Sequence, residues 1–252
     1  MSTMPTMSEY VDNEFPAIEV RDLTFSYRKG KPALQNLSFT VHSGEIVGLV
    51  GMNGSGKSTL CKVLQGVNAV PKGSVVSLCG QAAGTKEAVE QVIFTGGNET
   101  VPQFLTGVEY IRYLYKLANG SKSLTIEAIE QKFFALGMGN REQDLISDYS
   151  HGMMKKVQLI AGLLVGPQVI IIDETLNGID LESERKIVAD IIQFADNGGV
   201  VLICSHNLHL LQSCVNRILV LEHGTLKSDM EQLEAEDWDT VKAILSDIGD
   251  EQ

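Results

Sequence analysis

Apolar and polar residues alternate through "AIEVRDLTFSY", the period of a half-buried strand. A second such run, "LQNLSFTVH", leads to a Ser43-Gly44 turn and then to an unbroken apolar strand at Ile46–Val50. "SVVSLCG" after a Pro-Lys-Gly turn predicts a short strand. From about Thr106 to Gly166 the period becomes helical. "GVEYIRYLYKLA" and "TIEAIEQKFFALG" place apolar residues three and four apart and end near glycine. "GMMKKVQLIAGLLVGP" predicts a third helix, stopped by Gly166-Pro167. Apolar strands resume at 169–172, 200–204 and 218–221, with a helix over 181–194 between the first two. Alternating strands and helices predict an α/β fold with a mostly parallel sheet, carrying an inserted helical subdomain at about 98–166 and an N-terminal antiparallel β region. In the acidic tail, Trp238, Val241, Leu245 and Ile248 fall at helical spacing, which predicts a closing amphipathic helix over 229–252.

The composition fits a globular chain: 252 residues, 44% hydrophobic, 21% charged. The net charge of −12 argues against a nonspecific nucleic-acid binder, which needs a basic face, so nucleic acid is not an expected partner. Four cysteines without a C-x-x-C pair read as reduced thiols of a cytosolic protein. No apolar run reaches the ~18 residues of a membrane span. Residues 1–16 have neither the basic start nor the apolar stretch of a signal peptide and read as a mobile lead-in.

The chemistry sits at two strand ends. "GMNGSGKST" comprises Gly51, Met52, Asn53, Gly54, Ser55, Gly56, Lys57, Ser58 and Thr59, and it follows the apolar strand and opens a helix. That is the strand–loop–helix setting of G-x-x-x-x-G-K-[ST], in which backbone N–H groups converge on phosphate oxygens at a helix N-terminus. Lys57 brings charge to the β- and γ-phosphates, and the Ser58 hydroxyl faces magnesium. In "VIIIDETLNGID", a strand buried on both faces ends in two adjacent carboxylates, Asp173 and Glu174. A metal neutralises Asp173, while Glu174 is placed to take a proton from the attacking water.

In this order the motifs resemble the nucleotide-binding domain of an ATP-binding cassette (ABC) protein, a P-loop NTPase, over about residues 17–228. The resemblance implies ATP and magnesium as cofactors and an ATPase activity. Tyr27 corresponds to the aromatic residue that stacks on adenine. Tyr149, Ser150, His151, Gly152 and Met153 stand in the Leu-Ser-Gly-Gly-Gln signature, which meets the γ-phosphate bound by the opposite subunit. Asp180 corresponds to the acid of the loop that crosses the dimer interface. His206 in "LICSHNL" corresponds to the switch histidine near the γ-phosphate. Within the signature Ser150 and Gly152 match, while His151 and Met153 depart. Elsewhere, Gly97 stands where a glutamine is usual, with Asn98, Glu99 and Gln103 as possible substitutes. Thr175-Leu176 stands for Pro-Thr, which implies a less rigid turn.

The resemblance implies an ATP-binding and hydrolysing subunit that dimerises on ATP, with itself or with a different ATPase subunit. It would energise a separate transmembrane permease from the cytoplasmic face of the cell membrane. The Tyr-Ser-His-Gly-Met signature leans towards export. The alternatives are a soluble ABC ATPase in a cofactor-assembly or regulatory complex, and an ATP-binding module without catalysis.

Overall fold

The computed structural model describes residues 15–28, 30–96, 101–120 and 122–249, with side chains as far as 245. Most of the expected lead-in (1–14) and all of Gly97, Asn98 and Glu99 lie outside the described residues, as does the side chain of Ile248.

Two sheets organise the chain. The smaller is antiparallel, in the order β2-β1-β4-β5: β1 Ile18–Phe25, β2 Leu34–Val41, β4 Val75–Leu78 and β5 Gln81–Ala82. Its strands alternate buried and exposed residues because only one face meets the core. The larger sheet has the order β10-β9-β3-β8-β7-β6. In it, β3 Ile46–Val50, β6 Val92–Gly96, β7 Val169–Asp173, β8 Val200–Cys204 and β9 Arg217–Glu222 run parallel, and β10 Thr225–Glu231 closes the edge as an antiparallel hairpin. Every residue of β3 and β8 is buried, so the apolar runs carry no alternation.

Helices cover the sheet. α1 Lys57–Leu64 follows β3, and the short α2 Lys86–Glu90 precedes β6. Between β6 and β7 lie α3 Gly107–Asn119, α4 Ile126–Ala135 and α5 His151–Val165. Their boundaries follow local chemistry. Thr106 and Glu109 form a capping box on α3, Thr125 caps α4, and Gly166 ends α5 in the left-handed conformation just before Pro167. α6 Leu181–Asp196 and α7 Leu208–Cys214 flank β8.

The tail departs from expectation at its start. Residues 229–231 are strand, not helix: Asp229, Met230 and Glu231 pair with Leu219, Ile218 and Arg217. The buried Arg217 guanidinium holds them there through ion pairs to Asp229 and Glu231, and reaches Glu45 beside β3 as well. The helix α8 Ala235–Gly249 begins later and docks as the spacing predicts, with Val241 buried and Trp238 and Leu245 packed on the main core.

Candidate functional site

The phosphate loop runs from the end of β3 into α1, and its shape depends on glycine. A Cβ on Gly51 would lie 2.2 Å from the Leu221 carbonyl oxygen, and one on Gly56 would lie 2.7 Å from Leu34 Cδ2. Gly56 also takes φ 110° as the residue preceding α1. The β9–β10 turn pins the loop from behind, since the Gly224 N–H donates to the Ser55 carbonyl and the Gly224 carbonyl accepts from the Gln35 N–H. The Lys57 ammonium folds onto its own loop, donating to the carbonyls of Gly51 (2.6 Å) and Met52 (3.2 Å). Ser55 Oγ is buried without a hydrogen-bond partner, a polar atom left open in the cradle.

Asp173 and Glu174 separate through the backbone. Glu174 takes φ +55°, a left-handed conformation uncommon for a side chain of its size, and its N–H donates to the Cys204 carbonyl. Burial, followed by the adjacent Glu174 charge, raises the pKa of Asp173, which Lys57 partly opposes. His206 follows β8, and its Nδ1 lies 3.4 Å from Glu174 Oε1. Since β8 lies between β3 and β7, three neighbouring parallel strands deliver the loop, the histidine and the carboxylates to one edge of the sheet.

A cleft of about 770 Å³ opens there. It is lined by Asn53, Gly54, Ser55, Gly56, Lys57, Ser58, Thr59, Asp173 and Glu174, and on the helical side by His151. Gly51 and Met52 lie behind the lining. Tyr27 is exposed outside it, set edge-on to Phe25 at 5.0 Å, and its hydroxyl accepts from Asn68. A hydrogen bond with Thr59 is the main cause of its lowered pKa and ties it to the first turn of α1. Ser150 caps α5, accepting from the Met153 N–H, and Gly152 has open space around it. Neither Ser150 nor Gly152 lines the cleft. Asp180 caps α6 and pairs with Lys156, so both its oxygens are engaged within the chain. Tyr149, in place of the usual leucine, is buried against Phe133 and donates its hydroxyl to the Arg141 carbonyl.

The structure adds residues that sequence reasoning missed. Gln158, Lys155 and Asn177 line the cleft, as does Gln103 from the list of substitutes. The Gln158 Oε1 accepts the Gly96 N–H at 3.1 Å, so a glutamine amide from α5 stands beside the strand end that precedes Gly97. Gly96 pairs with Asp173 so closely that a Cβ would meet the Asp173 carbonyl oxygen at 2.0 Å and Thr175 Oγ1 at 2.3 Å. Thr175 is buried, with its hydroxyl 3.4 Å from both Thr95 Oγ1 and the Asp173 carbonyl. These contacts hold the Thr175 side chain within the turn that lacks the usual proline.

The donor set fits magnesium. Among the described residues, no group of three or more His, Cys, Asp or Glu gathers as a protein-only metal cage. One strand-end carboxylate and one hydroxyl on the same cleft wall match an ion that keeps water and substrate phosphates as its remaining ligands.

Comparison with known proteins agrees with this geometry. The ABC transporter family model matches residues 34–177. The uncharacterised ABC transporter ATP-binding protein YhcH of Bacillus subtilis is 31% identical over 213 residues, covering 83% of this chain and 68% of that protein. The doxorubicin resistance ATP-binding protein DrrA of Mycobacterium tuberculosis is 30% identical over 223 residues, covering 85% of this chain and 65% of that protein. The dimeric ATP-binding cassette MJ0796, in a post-hydrolysis state with ADP and Pi, superposes with a TM-score of 0.74 at 18% identity, over 86% of this chain and 99% of that one. The chain belongs to the ABC transporter family, as one of its ATP-binding and ATP-hydrolysing subunits.

Proposed function

We propose that this subunit drives export through a separate membrane-spanning permease, by closing on ATP against a second ATP-binding subunit. The observation that carries the reading is the meeting of the phosphate loop, the Asp173–Glu174 pair and His206 at the ends of three adjacent strands. Lys57 and the loop N–H groups bind the β- and γ-phosphates, and the exposed Tyr27 beside α1 stacks on adenine. Ser58 and Asp173 would hold magnesium, which would neutralise phosphate charge. Glu174 accepts the proton of the attacking water, and His206 orients that carboxylate towards the γ-phosphate. Ser150, His151 and Gly152 head α5, where a helix N-terminus favours an anion, and they meet the nucleotide held by the opposite subunit. Asp180 and its loop lie along that interface.

Membership of the ABC transporter family supports a subunit reaching the cytoplasmic face through its permease. Among the described residues no helix is long and apolar enough to cross a membrane. That DrrA is a doxorubicin resistance ATP-binding protein supports export as the direction.

Mixed subunits test the shared site. Lys57→Ala and Ser150→Arg homodimers each carry two damaged sites, whereas a mixed dimer carries one intact site and one doubly damaged. Mixing should restore nucleotide trapping or phosphate release. No recovery despite verified mixed dimers, or among the variants distributed over a heterodimer, overturns the shared site.

A further inference from the structure

Two adjacent lysines of α5 hold the turn that follows the paired carboxylates. Lys156 is only 8% exposed, and its ammonium donates to the Leu136 carbonyl at 2.8 Å and to Asp180 Oδ2 at 2.7 Å. Asp180 Oδ1 accepts the Ser183 N–H at 2.9 Å, and the Ser183 hydroxyl donates to the same Leu136 carbonyl at 3.0 Å. Lys155 Nζ donates to the Asn177 carbonyl at 2.5 Å. The turn closes on itself through the Asn177 N–H donating to the Glu174 carbonyl at 3.2 Å. Both ends of the segment 177–180 are therefore tied to one helix, and Glu174, three residues before it, takes a left-handed backbone conformation.

A buried ammonium is costly unless it is paired and hydrogen-bonded, so Lys156 fixes one arrangement of α5 and the turn. Neither lysine is needed for the helix itself, whose cap is Ser150 and whose core face is Val157, Ile160 and Ala161. The two cations lie at the other end of a short, closed path from the carboxylate: α5, Lys155 and Lys156, Asn177 and Asp180, Glu174.

We infer that Lys155 and Lys156 are positioning residues for Glu174, fixing the turn 174–180 to α5 so that the carboxylate is set only when the helix is seated. The inference rests on the reading that Glu174 takes the proton in hydrolysis and that the head of α5 receives the opposite nucleotide. The pairing makes the station of α5 a condition for chemistry within the same chain.

The test uses the full chain with its ATPase partner. Lys156→Met should lower turnover at saturating ATP by about 10–100-fold, the scale of a catalytic group displaced by an ångström. Its ATP affinity should stay within about two-fold, the pattern of an interaction needed only in the transition state. In a Glu174→Gln background, Lys156→Met should still close on ATP, which a merely structural defect would prevent. Lys156→Arg should restore most of the turnover, and adding Asp180→Asn to Lys156→Met should cost little more. Should Lys156→Met fail to fold, Asp180→Asn carries the same expectations. Native turnover in these variants, or loss of ATP affinity in step with turnover, overturns the inference. Failure of the unsubstituted protein to bind or hydrolyse ATP would instead overturn the reading beneath it.

Discussion

His206 Nδ1 stands 3.4 Å from Glu174 Oε1, with both side chains more than half exposed. The histidine therefore touches the carboxylate without burying it and leaves one face of each open to a reacting water. Glu174→Gln keeps the shape but cannot accept a proton. Turnover should fall by about 10²–10⁴-fold, the usual contribution of a general base, with ATP binding retained. Phosphate release in a single turnover checks this. His206→Ala should slow hydrolysis less and leave nucleotide binding intact.

Lys57→Ala removes the ammonium that in the present conformation rests on the Gly51 and Met52 carbonyls. A charged hydrogen bond contributes about 1.5–3 kcal/mol, so ATP affinity should drop about 10–100-fold. Its loss also leaves the Gly51 and Met52 carbonyls without that donor, so an effect on the fold has to be told apart from the effect on binding. Calorimetric titration with ATP, alongside a thermal melt, separates the two effects.

Gly96→Ala probes the close contact of β6 and β7. The new Cβ would sit 2.0 Å from the Asp173 carbonyl oxygen at a residue with φ +111°. Strain and overpacking together should cost about 1–3 kcal/mol of stability. Asp173 and Thr175 must move to make room, so hydrolysis should fall more than the melting temperature alone suggests. Ala substitution at Gly54, where a Cβ meets nothing but φ is +78°, is the control for backbone strain without collision.

Asp180 gives a pH signature. The hydrogen bond from Lys156, and then the Ser183 N–H, hold its carboxyl well below the usual range. A lowered folded pKa means stability that is fully present above the ordinary carboxylate value and lost as pH falls towards the depressed one. The wild type should thus be more stable than Asp180→Asn at neutral pH. That gap should shrink progressively below about pH 4, the ordinary carboxylate range. Urea midpoints measured at several pH values read it directly.

The strands β3 and β8 were legible to the residue, because a strand buried on both faces is an uninterrupted apolar run with sharp polar ends. The phosphate loop and the Asp173–Glu174 pair were legible because each is a local pattern at a strand end. The ties between distant segments were not. Lys156 reads as one more polar residue of an amphipathic helix until α5 is laid beside the turn at Asp180. Gln158 likewise becomes a cleft residue only when its amide meets Gly96. The short β5, α2 and α7 have too few residues to show a period. The strand at 229–231 was hidden by its acids, which sit there because the buried Arg217 of the neighbouring β9 draws them in.

The position of β3 in its sheet bears on how the chain is made. Its partners are β8, reached at Val201 from Ile46, and β9, reached at Arg217 from Val47. Both leave the ribosome long after β3 does. At 5–20 residues per second the wait for β8 is about 8–30 s, during which a wholly apolar strand has neither edge covered. The nucleotide cradle is thus completed only after β9 has been made, and until then the nascent strand offers both of its edges to other chains.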